Sequence, residues 1–127
     1  MTVFSYQRNS TGNSFPVIDF FVFKNDHAER IYALVDSGAT VSIFKEEVAE
    51  RLAIRIEDGK ETYLGGVGGR IKGYVHDLEV EIAGNKFVCP VVFSHEYLVS
   101  FNLLGREEFF KRFKIVFEEK NHLLKLE

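Results

Sequence analysis

Asp36 ends the apolar run Tyr32-Ala33-Leu34-Val35 and is followed by Ser37-Gly38-Ala39-Thr40. A carboxylate at the end of a strand that reads as buried is costly unless it is hydrogen-bonded or shares a proton. Ser37 supplies a hydroxyl, and Gly38 permits a turn that brings backbone amides to the carboxylate. Such a group is suited to general acid-base work on water. A strand-ending turn capped by Asp accounts for the same residues without chemistry. The other aspartates, Asp19, Asp26, Asp58 and Asp77, lack this setting.

The second chemical candidate is Gly65-Gly66-Val67-Gly68-Gly69-Arg70-Ile71. It fails as a phosphate cradle. The stretch from Gly66 lacks the final Gly of a dinucleotide fingerprint, Tyr74 stands where a P-loop needs Lys, and no helical pattern follows. Glycines around Val67 suit a hairpin tip that moves and meets a peptide backbone closely; a merely structural glycine hairpin is the alternative. His27, His76, His95 and His122 have no metal-ligand spacing, and Cys89 is the only cysteine, so no metal or cofactor is expected. A single cysteine also forbids an internal disulfide and fits a reducing, cytoplasmic setting.

These candidates sit in a chain of 127 residues, 46% hydrophobic and 28% charged, enough for one core and one domain. Sixteen Lys and Arg against nineteen Asp and Glu give a net charge of -3 and no basic stripe, which argues against nucleic acid. Asp19 interrupts the longest apolar segment, so neither a signal sequence nor a membrane span is read. Thirteen Phe and five Tyr without Trp, set among Val and Ile, favour an all-β core. Residues 1–14 read as a polar arm, loose or ordered only by a partner, ahead of a domain over 15–127. Strands are expected at 17–24 and 31–35, both apolar on two faces, with a turn over 25–29. A helix is expected over 44–53 with Ser42 as a possible N-cap. Strands follow from 61 to 93, turning at Gly84-Asn85, with 79–82 wet on one face and 87–93 buried on both. Residues 106–112 read as helical with Phe109, Phe110 and Phe113 inward, and 114–118 with 122–126 as a terminal hairpin.

Three motifs in register give the chain a family likeness. Leu34-Val35-Asp36-Ser37-Gly38-Ala39, the glycine-rich 64–72 and Asn102-Leu103-Leu104-Gly105-Arg106 resemble the active-site loop, the flap and the hydrophobic-Gly-Arg segment of retropepsins, the single-domain aspartic proteases. The stretch 42–54 is closer to cellular and bacterial members than to the compact viral pattern. The resemblance implies an acid-protease half-barrel of β-hairpins with a glycine-rich flap and one or two short helices, assembled as a two-fold homodimer.

It further implies an aspartic endopeptidase acting on a polypeptide. One Asp-Ser-Gly per chain cannot build a two-carboxylate site, so the Asp36 of a second copy must face the first. Like charges so placed do not both ionise, a property known for aspartic proteases as a class. By the same likeness Asp36, Ser37 and Gly38 form the catalytic loop, with Ser37 bracing it across the dimer. Ala39 and Gly65, Gly66, Val67, Gly68 and Gly69 would meet substrate, and Val67, Ile71 and Val92 suggest partly apolar pockets. Leu103, Leu104, Gly105 and Arg106 would support the site. Viral members pair this Arg with an Asp at the position of Thr40, so Arg106 needs another acceptor or is solvated. The competing reading is a catalytically silent module of the same fold that binds peptide or dimerises.

Overall fold

The structure is a computed structural model that describes residues 1–66 and 68–127. Three short strands open the chain, β1 (Thr2–Ser5), β2 (Gln7–Arg8) and β3 (Ser14–Phe15). Then come β4 (Val17–Lys24), β5 (His27–Val35), β6 (Ser42–Phe44) and the helix α1 (Glu46–Arg51). A single 3-10 turn at Ile56–Asp58 leads into β7 (Lys60–Gly66), β8 (Gly69–Ile82) and β9 (Asn85–Phe93). The chain ends with β10 (Asn102–Leu104), α2 (Phe109–Arg112), β11 (Ile115–Glu118) and β12 (Leu123–Leu126).

The main sheet runs β4-β5-β10-β6-β9-β8-β7 and closes on itself, because β8 also pairs with β4 from Phe21↔Glu81 to Phe23↔Glu79. Six strands thus ring the core, and β7 hangs on the first half of β8 as a projecting hairpin. Alternation dictates the packing: Ile18, Phe20 and Val22 of β4 point inward with Ile31, Ala33 and Val35 of β5 and Leu78, Val80 and Ile82 of β8. Phe44 and Phe93 meet edge to face with ring centres 6.3 Å apart at the buried centre. Burying each such ring contributes about 1.5–3 kcal/mol.

Several expectations are corrected. β4 and β5 are buried on one face only, with Phe21 46% and Tyr32 44% exposed, since the ring has a single interior. Val88 is likewise exposed within β9, although Val91, Val92 and Phe93 are all buried. The turn between β4 and β5 takes two residues rather than five. Asn25 (φ 52°) and Asp26 (φ 62°) both adopt the left-handed conformation that matches the twist of a tight hairpin. Ser42 lies in β6 and caps no helix; α1 starts after Lys45 with Glu46 and Glu47 in its first turn, where acidic residues suit the helix dipole. The expected helix over 106–112 shrinks to α2, because Glu108 (φ 63°, ψ -49°) departs from helical geometry and Phe109 N–H turns back to the Glu107 carbonyl. Thr2–Ser5 is ordered by its own chain, antiparallel to β12, so the terminal hairpin becomes a three-stranded sheet. No helix among the described residues is long and apolar enough to cross a membrane.

Candidate active site

Asp36 follows the last residue of β5, where the strand is anchored on both sides. Val35 N–H donates to the Pro16 carbonyl at 2.9 Å, and Asp36 N–H donates to the Leu104 carbonyl at 2.9 Å. β10 supplies that carbonyl by running parallel to β5, with Leu104 opposite Val35. The chain then turns through Ser37 and Gly38. Gly38 N–H donates to Asp36 Oδ1 at 2.9 Å, and Ala39 N–H donates to the Asp36 carbonyl at 3.2 Å. Asp36 is half-buried while Ser37 and Gly38 are exposed, so the carboxylate is held by backbone but stays open to solvent.

Leu103, Leu104, Gly105 and Arg106, expected to support the site, lie beside the turn and meet it through main chain. Arg106 N–H donates to the Ala39 carbonyl and Glu107 N–H to the Thr40 carbonyl, each at 2.9 Å. Gly105 N–H donates to the buried Ser42 Oγ at 3.0 Å. Glycine is required there: a Cβ would lie 2.5 Å from the Val41 carbonyl carbon and 2.9 Å from the Ala39 oxygen. Leu103 pairs with Leu34 and Ile43 and is half-buried. The Arg106 side chain is exposed and makes no ion pair among the described residues, so its backbone carries the contact.

The hairpin of β7 and β8 brings Gly65, Gly66, Gly68 and Gly69 to one tip, with Gly66 opposite Gly69. Val67 lies outside the described residues. Gly68 (φ 97°) and Gly69 (φ 124°) need the freedom of glycine, whereas a Cβ at Gly65 or Gly66 would meet open space. A cavity of about 300 Å³ is lined by Val41, Leu64, Val75, Pro90 and Val92, with Lys60, Glu61, Thr62 and Glu107. A second, of about 360 Å³, is lined by Arg8, Phe15, Val17, Leu34 and Phe101 among others. Val92 therefore lines a pocket as expected, but Ile71 lines neither, and Val41, Leu64, Leu34 and Phe101 take its place.

Sequence reasoning gave no role to Asn102, which is buried. It accepts Lys45 N–H at 2.7 Å and donates to the Tyr32 carbonyl at 2.8 Å, tying α1 to β5. It also missed Tyr97, whose hydroxyl donates to the Phe101 carbonyl at 2.9 Å. Burial, with the Asp36 charge second, pushes the Tyr97 hydroxyl up to about 12. Among the described residues no three His, Cys, Asp or Glu side chains gather as metal ligands.

A barrel that presents a half-exposed Asp-Ser-Gly turn, shored up by a Leu-Gly-Arg loop and accompanied by a glycine-tipped hairpin, defines the single-domain acid-protease architecture. The aspartyl protease family model matches residues 15–118, and the chain belongs to that family. A retropepsin-like aspartic protease from Rickettsia conorii superposes with a TM-score of 0.71 at 24% identity, over 98% of this chain and 89% of the other. EIAV protease, in complex with the inhibitor HBY-793, gives a TM-score of 0.58 at 21% identity, over 79% of this chain and 88% of the other. At such identities the likeness shows the shared fold. No curated protein matches the chain in sequence.

Proposed function

We propose that the protein is an aspartic endopeptidase that hydrolyses peptide bonds between the Asp36 carboxylates of two copies of the chain. The observation that carries the reading is the Asp36 turn: its carboxylate accepts Gly38 N–H at 2.9 Å yet remains open to solvent. One carboxylate takes a proton from water while its partner, holding the shared proton, polarises the scissile carbonyl. No acyl-enzyme and no cofactor enters this scheme. Ser37 braces the loop across the dimer. The β7–β8 hairpin serves as the flap, with Gly65, Gly66, Val67, Gly68 and Gly69 and, below them, Ala39 meeting an extended polypeptide that binds like an added strand. Residues 15–127 form the proteolytic domain, and 1–14 an arm of which Thr2–Ser5 lies along β12. The setting proposed is the cytoplasm, where a lone buried thiol at Cys89 stays reduced.

The test is cleavage of a peptide library, read by mass spectrometry, for the wild type beside Asp36→Asn. The substitution keeps shape but removes the shareable proton and the base, so cleavage should vanish while fold and dimer persist. Turnover by Asp36→Asn near the wild-type rate would sink the mechanism. Peptide binding without cleavage by the wild type would establish the silent module instead.

A further inference from the structure

After Phe93, the last partner of β8 in β9, the chain leaves the sheet but keeps hold of the hairpin. Ser94 Oγ donates to the Lys72 carbonyl, and Lys72 N–H donates to Glu96 Oε2 at 2.7 Å. Both main-chain groups of Lys72 are thus taken by side chains, three residues from Gly69 at the tip. The holding groups also brace each other, since Glu96 N–H donates to Ser94 Oγ at 3.1 Å and Ser94 is fully buried. Gly73 allows the close approach: a Cβ there would lie 2.6 Å from Val92 Cγ1. His95, between the two, turns to other elements. Its Nδ1 is 3.1 Å from Glu46 Oε2 in α1, and its Nε2 is 2.5 Å from Glu57 Oε1 in the 3-10 turn. Arg55 Nε stands 3.9 Å from Glu57 on the far side.

We infer that residues 94–96 form a latch that positions the flap: Ser94 and Glu96 fix β8 at Lys72, while His95 fastens them to α1 and the 3-10 turn. This rests on the reading of the β7–β8 hairpin as the flap. A flap held at Lys72, three residues from its tip, closes over a peptide with less freedom to lose, so release of the latch shows first as weaker substrate retention. The latch also responds to pH. Hydrogen bonds to Glu57 and then Glu46 hold the His95 imidazole above its ordinary range, and the His95 contact holds the Glu57 carboxyl below its own. The clasp therefore persists as pH rises past the ordinary range of histidine and loosens when His95 finally deprotonates. On the acid side it loosens when Glu57 takes a proton.

The measurement is hydrogen exchange of the Lys72 amide, as a protection factor, in the full chain carrying Asp36→Asn so that catalysis plays no part. Glu96→Ala should lower that factor about tenfold, the weight of one hydrogen bond to a charged group, with the Leu78 and Val80 amides unchanged. Glu96→Gln, which keeps an acceptor oxygen, should restore most of it. His95→Gln should lower it only where wild-type His95 is protonated. Unchanged Lys72 protection in Glu96→Ala, or a His95→Gln profile that matches the parent at every pH, would overturn the latch. In the chain that retains Asp36, Glu96→Ala should raise KM about tenfold while kcat changes little. A chain that cleaves normally while exchange fails to respond removes the latch and leaves the protease; a chain that cleaves nothing removes the flap reading, and exchange alone then judges the contacts.

Discussion

Gly105 bears most directly on the Asp36 turn, because its missing side chain lets β10 approach the carbonyls of Ala39 and Val41. The clash that a Cβ would create involves main chain, which cannot swing aside. Gly105→Ala should therefore cost about 1–3 kcal/mol, measured as a lower denaturant midpoint, and should displace the turn enough to depress activity. A variant as stable and active as the parent would mean that β10 yields without disturbing Asp36. Cys89 offers a second check at this scale. Burial pushes its thiol up to about 11, so alkylation at neutral pH should be slow in the folded chain and rapid once it is unfolded. Asp36, Ser37 and Gly38 were legible in sequence because their chemistry is local: the turn and its hydrogen bond lie within three residues. Ser42, Ser94 and Asn102 were not. Their partners lie 63, 22 and 57 or 70 residues away, and nothing in a hydroxyl or an amide announces which distant strand will meet it.

Hairpins and helices carry the next set of consequences. Gly69 (φ 124°) stands in a conformation that costs an L-residue about 1–2 kcal/mol, whereas Gly66 has neither that backbone nor a neighbour within 4 Å. Gly69→Ala should impair activity through KM more than it lowers the unfolding midpoint, since the tip can open locally, and Gly66→Ala should leave the midpoint unchanged. Equal losses of folding and activity would make the glycines merely structural. The His95 clasp gives a separate signature in stability. A histidine held above its unfolded range contributes fully at pH values below that range, and the contribution disappears as pH rises through the folded one. A carboxyl held low, as Glu57 is, contributes above its unfolded range and loses that contribution as pH falls. Wild type should thus exceed His95→Gln most between these limits and match it in alkali, by denaturation at a series of pH values. Apolar runs made the β4–β5 hairpin readable, though not that only one face of it is buried, and alternation made the wet face of 79–82 readable. Element limits were not readable where non-glycine residues of positive φ decide them, as Asn25, Asp26 and Glu108 do, because such residues carry only a weak signal for that backbone.

At the scale of the molecule, one chain offers one Asp-Ser-Gly turn. The remaining aspartates are otherwise placed: Asp19 is ion-paired to Arg30 at 2.8 Å, Asp26 forms a hairpin turn, Asp58 ends the 3-10 turn, and Asp77 is exposed in β8. The proposed chemistry therefore needs a second copy, a requirement that sequence could state because it follows from counting motifs. Thr2–Ser5, read from sequence as a loose arm or a segment ordered only by a partner, instead lies on β12 of its own chain. The resulting sheet, in the order β1-β12-β11, leaves an outer edge on each of β1 and β11 and exposes Val3 and Phe117. Open edges of this kind invite pairing with another chain. A mixing experiment decides whether the active unit is such a pair. Wild type and Asp36→Asn, unfolded together and refolded in equal amounts, should assort at random, leaving about a quarter of the dimers with both carboxylates. Activity per wild-type subunit should then fall to about half and continue to fall as the variant is added in excess, and it should also drop on dilution below the dimer dissociation constant. Activity proportional to wild-type chains alone, whatever the excess, would mean that each chain works by itself, and the two-carboxylate mechanism would have lost its second carboxylate.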